Sequence, residues 1–423
     1  MSYLPRLVDL ELDDIQSSLP VIAVEGAKGV GKTETASRRA DRVVELDDPA
    51  QLAVVSSDMS WLESLDGSVL VDEWQRHPPV WDYVRRRADA GIGPGRYLLT
   101  GSATPLDSQV HSGAGRIVRL RMRPMSLAER GLVTPTVSLG ALLSGGRPRV
   151  GGDSPLGLDD YVEEILASGF PGIRAFTGRA RRLQLTGYLE RVVDRDFPEL
   201  GHQVRRPATL RAWLAAYAAA TATTTSYNTL LRAATAGQSE RPAKTTTIAY
   251  RDTLEHLWLL DPVPGWAPGY GHLGRLGQAP KHHLADPALA ASLLGADAGK
   301  LLTGAETGPP VPRDGTLLGA LFESLVTLSV RVYAQLLEAQ VSHLRLRDGR
   351  HEVDLIVERP DGAVVAVEVK LGGVIHDNDL KHLHWLADKL GGRLLDAVVI
   401  STGPTAYRRP DGIAVVPAAL LTS

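Results

Sequence analysis

The stretch Gly26-Ala27-Lys28-Gly29-Val30-Gly31-Lys32-Thr33 decides the fold of the N-terminal part of the chain. It has the form G-x-x-x-x-G-K-[ST] and lies between a short apolar run, Val21-Ile22-Ala23-Val24, and a segment that reads as helix from about Lys32. Glycines let the backbone curl so that its N–H groups face phosphate oxygens. The following helix adds the positive end of its dipole. In such a loop Gly26, Ala27, Lys28, Gly29, Val30 and Gly31 cradle phosphates, Lys32 reaches the β- and γ-phosphates, and the Thr33 hydroxyl holds Mg²⁺. ATP and Mg²⁺ are the expected cofactors.

Working outward, further short apolar runs lie at 43–46, 68–71 and 97–100, with helical segments such as 81–90 between them. Short apolar strands alternating with helices imply a mostly parallel sheet covered on both faces. Ser68-Val69-Leu70-Val71-Asp72-Glu73 ends a strand in two acids at the carboxyl edge of that sheet, where open α/β folds bind ligands. Asp72 is expected in the Mg²⁺ shell, with Glu73 orienting the attacking water. Leu98-Leu99-Thr100-Gly101-Ser102 ends another strand in small hydroxyl residues; Ser102 is either a γ-phosphate contact or part of a simple turn. Arg116, after Gly115, is a candidate arginine finger, acting in cis or in trans. Arg119, Arg121 and Arg123 alternate with Val118, Leu120 and Met122, giving one basic face. That face is either a solvated edge strand or a contact to a partner's phosphates or acids.

Composition narrows the classes. The chain has 423 residues, 43% hydrophobic and 22% charged, which excludes a wholly disordered protein and allows about two to four domains. No uninterrupted apolar run of about 18 residues is present, so no membrane span is expected. The first eleven residues lack a basic start and an apolar core, so no secretory signal is expected and the cytoplasm is the default compartment. Cysteine is absent, which excludes disulfides and thiolate metal sites. With a net charge of −3, any nucleic-acid binding must come from a local patch. Only eight of the 46 basic residues are lysine, which draws attention to positions such as Lys32 and Lys370 where a compact ammonium is kept.

The run Val71-Asp72-Glu73-Trp74-Gln75, the stretch Leu99-Thr100-Gly101-Ser102, and Gly115-Arg116-Ile117 with Pro124-Met125-Ser126 resemble the bacterial and archaeal AAA-type ATPases that carry a C-terminal domain of unknown function. Gly169-Phe170-Pro171, and Tyr188 with Arg195-Asp196, extend the resemblance over nearly the whole chain. It implies an ATP-binding protein. The expected order is a P-loop ATPase core at 1–140, a helical linker or lid at 150–204, a winged helix-like region at 205–268, and a restriction-endonuclease-like α/β domain at 276–423. The Gly-, Ser- and Pro-rich residues 138–155 read as a boundary, and Gly/Pro-rich stretches recur at 265–280 and 304–315.

In the winged-helix reading the segment from Lys244 is the recognition helix, with Arg251 and His256 on its polar face. It has few phosphate-facing cations, so it either reads DNA or only packs and contacts protein. The tail carries a second chemistry. Strand 351–357, the turn Pro360-Asp361-Gly362 and return strand 363–370 form a hairpin whose register sets Asp354 opposite Glu368, with Lys370 on the face of Glu368. Two acids placed opposite each other repel unless a divalent cation or Lys370 lies between them. This D…E-x-K arrangement resembles the restriction-endonuclease-like nucleases, in which Asp354 and Glu368 would hold Mg²⁺ and Lys370 would orient water. Glu323, on the preceding helix, matches the extra acid some of them carry. The alternative is a retained fold without activity. DNA or a protein is the open partner, and an oligomer is allowed.

Overall fold

In a computed structural model the chain is described at residues 3–102, 114–200, 207–236, 244–267, 278–303, 316–346 and 350–423. The stretches expected at 265–280 and 304–315 lie largely outside these residues, as does the side chain of Lys244.

β1 (Val21–Glu25), β2 (Arg42–Glu45), β3 (Val69–Asp72), β4 (Tyr97–Gly101) and β5 (Val118–Arg121) form one sheet in the order β2-β3-β4-β1-β5. Every pairing is parallel. β1, β3 and β4 are buried along their whole length, which is why they read as continuous apolar runs rather than alternating ones. Alternate residues still serve different cores. Val21, Ala23, Val69, Val71 and Leu99 pack with Trp74 and Trp81 on one face, while Ile22, Val24, Leu70 and Leu98 join the large core shared with the rest of the chain.

Beyond the sheet the chain is helical, with helices at Leu158–Ala167, Gly178–Arg191, Pro207–Ala219, Tyr227–Ala234 and Lys244–His256. The last three are followed by antiparallel bridges that pair Leu260 with Leu284 and Val263 with Lys281. The expected polar face of the Lys244–His256 helix is half-buried. Arg251 pairs with Asp252 at 2.7 Å and lies over the Tyr227 ring, and His256 lines a cavity with Glu25, Trp74 and Arg119 of the first domain.

The C-terminal part is a mixed sheet. β6 (Val137–Ser138) and β7 (Gly152–Asp153) precede it in sequence. β8 (Gln340–Arg345), β9 (Glu352–Glu358), β10 (Val364–Lys370), β11 (Leu394–Ser401), β12 (Thr405–Arg408) and β13 (Ala414–Pro417) complete it with β7, while β14 (Leu421–Thr422) and β6 form a separate two-stranded sheet. The order is β7-β12-β13-β11-β10-β9-β8. β8, β9 and β10 are antiparallel neighbours. β10 and β11 are parallel and are joined by a crossover that contains the Lys381–Leu390 helix. Residues 138–155, a boundary by composition, are stitched to this domain: β7 pairs with β12, and β14 pairs with β6.

The Leu317–Leu336 helix is the one helix among the described residues long and apolar enough to cross a membrane, and 72% of its apolar window is buried inside the fold. Its charged residues Glu323 and Arg331 both make ion pairs within the structure.

Candidate functional site

β1 ends at Glu25 and the chain turns at once into the loop. Only glycine fits at 26, where a Cβ would run into the Met122 carbonyl oxygen. Gly31, the residue before the Lys32–Ser37 helix, has φ +104°, a conformation open to glycine at little cost. Buried Arg6 braces the loop from behind, donating to the carbonyls of Val30 at 2.8 Å and Arg123 at 2.7 Å.

The loop, β3 and β4 deliver their polar ends to one place. The Lys32 ammonium is 5% exposed and donates to the carbonyls of Gly26 at 2.8 Å and Ala27 at 3.0 Å, and to the Ser102 hydroxyl at 3.1 Å. Burial pulls its pKa down to about 8, against the opposing pull of Glu73 and Asp72. The Thr33 hydroxyl donates to Asp72 Oδ1 at 2.8 Å, and the buried Thr100 hydroxyl donates to the same oxygen. Glu73 is the first residue past β3 and takes φ 52°, ψ 42°, a left-handed conformation that costs a non-glycine residue about 1–2 kcal/mol. Its carboxylate accepts a hydrogen bond from Gln75. Such strain persists only where the surroundings over-determine it, here at the acid expected to position water.

A cavity of about 270 Å³ opens beside this cluster, lined by Lys28, Glu73, Arg76, Ser102, Tyr188 and Asp196. The helical region forms its far wall. The Tyr188 hydroxyl donates to the Lys28 carbonyl at 3.1 Å, and the Lys28 ammonium lies 4.0 Å from Asp196. Asp196 closes a π-helical turn, Val192–Asp196, a geometry common at functional positions. Gly169-Phe170-Pro171 docks this region on the first domain: the Gly169 carbonyl accepts from Met125 N–H at 2.8 Å, and Phe170 packs on Tyr188. On the other side of the loop, Gly31 and Thr35 share a cavity of about 520 Å³ with Tyr3, Leu4, Pro171 and Ala175.

The remaining arginines lie elsewhere. Arg116 precedes β5 at its N-terminal end, the edge of the sheet opposite the loop, and pairs with Asp89 at 2.6 Å. The chain does not bring it to its own nucleotide loop. Arg119 covers the Trp81 ring and lies 3.5 Å from Glu25. Arg121 and Arg123 do not form a solvated edge face. With Arg331 they surround Asp261 at 2.8, 2.9 and 2.7 Å. Burial favours the neutral acid at Asp261, but the three guanidinium groups hold its pKa far below the usual carboxylate range. In the sequence Asp261 stands only as the residue before Pro262, with nothing to mark its partners.

The tail hairpin has the expected register: Val364 pairs with Glu358, Val367 with Leu355, and Gly362 takes φ +81° in the turn. Lys370 donates to Glu368 Oε1 at 3.1 Å, and Asp354 Oδ2 accepts from the Val369 N–H at 2.9 Å. The cation that meets Asp354 was not foreseen. It is Lys281, 1% exposed, whose ammonium lies 2.8 Å from Glu323, 3.0 Å from Asp354 and 3.4 Å from Glu352. Glu368 Oε2 is buried and has no hydrogen-bond partner. Among the described residues, no group of three or more histidine or acidic side chains is arranged to hold a metal ion. Burial and the nearby Asp354 raise the Glu323 pKa to about 8 and hold that of Glu368 well above the usual range. Burial pushes Asp354 up, but Lys281 and the Val369 N–H leave it below its ordinary value. The signal for Lys281 in the sequence was only the rarity of lysine.

Residues 18–130 match the family described as AAA domain, residues 158–300 a domain of unknown function, DUF8612, and residues 318–421 another, DUF4143. Two mycobacterial proteins described as uncharacterized, Rv2008c of Mycobacterium tuberculosis and Mb2031c of Mycobacterium bovis, are each 25% identical over 287 residues, 66% of this chain and 57% of theirs. The chain thus matches little more than half the length of these relatives. Among solved structures, the Walker-type ATPase PABY2304 of Pyrococcus abyssi is similar at 15% identity and TM-score 0.40, over 67% of this chain and 94% of that one. A structure of Drosophila ORC bound to DNA is similar at 13% identity and TM-score 0.24, over 68% of this chain and 94% of that one. The loop, its strand order and the family match make residues 18–130 an AAA-type P-loop domain, a fold that binds ATP.

Proposed function

We propose that the chain is a Mg²⁺-dependent ATPase whose nucleotide state acts on the helical region and on a nuclease-like C-terminal domain. The observation that carries this is the convergence of Lys32, Thr33, Asp72 and Ser102 through direct hydrogen bonds, with Glu73 on the rim of the adjoining cavity. The Lys32 ammonium is held by two loop carbonyls and a hydroxyl, all uncharged partners that a phosphate chain displaces readily. The Thr33 hydroxyl and Asp72 carboxylate are hard oxygen donors, the set that suits Mg²⁺. Bound there, Mg²⁺ would neutralise charge on the β- and γ-phosphates.

Each residue then has a role. Loop N–H groups hold the phosphates and Lys32 stabilises charge on the transferred group. Glu73 orients the attacking water in line, and Ser102 contacts the γ-phosphate. The apolar cavity beside Gly31 and Thr35 gives the base a place between Tyr3 and Pro171. Tyr188 and Asp196 join the occupied loop to the helical region. Lys32→Ala is expected to abolish hydrolysis and weaken ATP binding on the order of 100-fold, read by calorimetry. Glu73→Gln should keep ATP binding and lose on the order of 10²-fold in kcat. Parental turnover in Glu73→Gln would remove Glu73 from its role.

For the C-terminal domain, the antiparallel β8-β9-β10 unit, the crossover to parallel β11 and the Asp354, Glu368 and Lys370 placement support a restriction-endonuclease-like fold. The contact of Lys281 with Asp354 favours a switch with a quiet C-terminal site over an ATP-regulated DNase. Arg251 is engaged by Asp252 and His256 lies beside Glu25 and Trp74, which favours a winged helix used for packing over one that reads DNA.

A further inference from the structure

The acids of the C-terminal site and the cation among them come from different parts of the chain. Glu323 lies on the Leu317–Leu336 helix, Glu352 and Asp354 on β9, and Glu368 on β10, all within the region 318–421. Lys281 belongs to the preceding region, 158–300, and reaches in from a stretch whose backbone is bonded to Val263 in both directions at 2.9 Å. Two residues before Val263, Asp261 is fixed by Arg121 and Arg123 of the ATPase domain. The ammonium is therefore delivered by a neighbouring element that is itself anchored to the edge of the ATPase sheet.

Acids outnumber ammonium groups at the site. Four carboxyl groups, Glu323, Glu352, Asp354 and Glu368, meet two ammonium groups, Lys281 and Lys370. The Glu368 side chain is 7% exposed, yet its Oε2 has no hydrogen-bond partner. A buried polar atom without a partner costs about 1–3 kcal/mol and is kept where something else meets it in another state. The donors are all carboxylate oxygens, the chemistry of Mg²⁺ and Mn²⁺. A divalent ion needs oxygens at about 2.0–2.2 Å, closer than the 2.8–3.4 Å at which they stand off the ammonium, so both cannot occupy the same space.

We propose that Lys281 is a built-in counter-ion that excludes divalent metal from the C-terminal acid site, and that removing its ammonium opens a Mg²⁺- or Mn²⁺-binding site on the acids it now holds, Glu323, Glu352 and Asp354, beside the unpartnered oxygen of Glu368. The proposal rests on the nuclease-like reading of that domain for its geometry, but not for catalysis. The test uses the full chain without nucleotide, titrated with Mn²⁺ by calorimetry and followed by thermal melting. Lys281→Met should gain saturable Mn²⁺ binding and a rise in Tm, and the further change Asp354→Asn should remove both. The parent and Lys281→Arg should show no binding that depends on Asp354. Mn²⁺ binding to the parent that Asp354→Asn abolishes would overturn the proposal, as would a folded Lys281→Met that takes no Mn²⁺. Should Lys281→Met fold only with Mn²⁺ present, that rescue supports it. Lys281→Met/Glu352→Gln carries one acid fewer, and failure of both variants to fold in Mn²⁺ counts against it. Incubation of Mn²⁺-loaded Lys281→Met with supercoiled DNA separates the two readings: intact DNA leaves the counter-ion in place and rejects the nuclease.

Discussion

Two lysines buried among acids divide this molecule. Lys32 and Lys281 are 5% and 1% exposed. Their partners differ. Lys32 donates to two carbonyls and a hydroxyl, and burial lowers its pKa to about 8. Burial acts the same way on Lys281, but Asp354, Glu323 and Glu352 outweigh it and hold its pKa well above the usual value. One ammonium is short of negative charge and ready for an anion; the other is saturated. The difference teaches that residue type and depth do not define a lysine site. The charge of the atoms in contact does.

The largest expected effect breaks that comparison by removing each charge in turn. Without nucleotide, Lys281→Met should lower the free energy of unfolding by about 3–5 kcal/mol in denaturant melts, because buried carboxylates lose their cation. Lys32→Met should stay within about 1 kcal/mol of the parent, since only bonds to neutral oxygens are lost. Equal losses would mean that the two sites are of one kind.

A smaller effect concerns Glu323, whose pKa is about 8 in the fold against an ordinary 4.5. Between those values the folded chain holds a proton that the unfolded chain has released. Stability contributed by this group is therefore present at low pH and is lost as pH rises from about 4.5 to 8, by at most about 1.4 kcal/mol per unit. Glu323→Gln should flatten that part of a stability–pH curve. An unchanged slope would show that Glu323 is ionised beside Lys281.

The smallest effect sharpens the contrast from the other side. Free Lys32 loses its proton near pH 8, and ATP needs the ammonium. Apparent ATP affinity should fall above pH 8 by at most about tenfold per unit. Lys32→Ala should bind weakly at every pH without that slope.

Much of the candidate site's geometry was legible because its parts are local. The glycines, Lys32 and Thr33 lie within eight residues, and Asp72, Glu73 and Ser102 follow strands whose burial on both faces leaves unbroken apolar runs. The tail register was legible too, since Pro360-Asp361-Gly362 fixes how β9 meets β10. Lys281 and Asp261 were not. They lie in Gly/Pro-rich surroundings with no periodicity, and their partners, Asp354 and Arg121 among them, are distant in sequence. The alternation of Arg121 and Arg123 was visible, but alternation cannot show whether water or a buried acid waits on that face. Arg116 was open to a role in cis or in trans, and the direction of β5 sets it at the end of the sheet away from its own loop, which leaves the reading in trans.

The pairing of β14 with β6 has a consequence for synthesis. A ribosome makes the P-loop region before the C-terminal part, and the parallel sheet can form as soon as β5 has emerged. Strand 137–138 then waits for 421–422, and the hydrogen bond from Ala419 N–H to the Tyr161 hydroxyl spans 258 positions. Contacts this distant carry a large loop-closure cost and form late. The nascent chain therefore emerges with an early-folding head and an unpaired seam, and a truncated product keeps that seam open to other chains or to a chaperone.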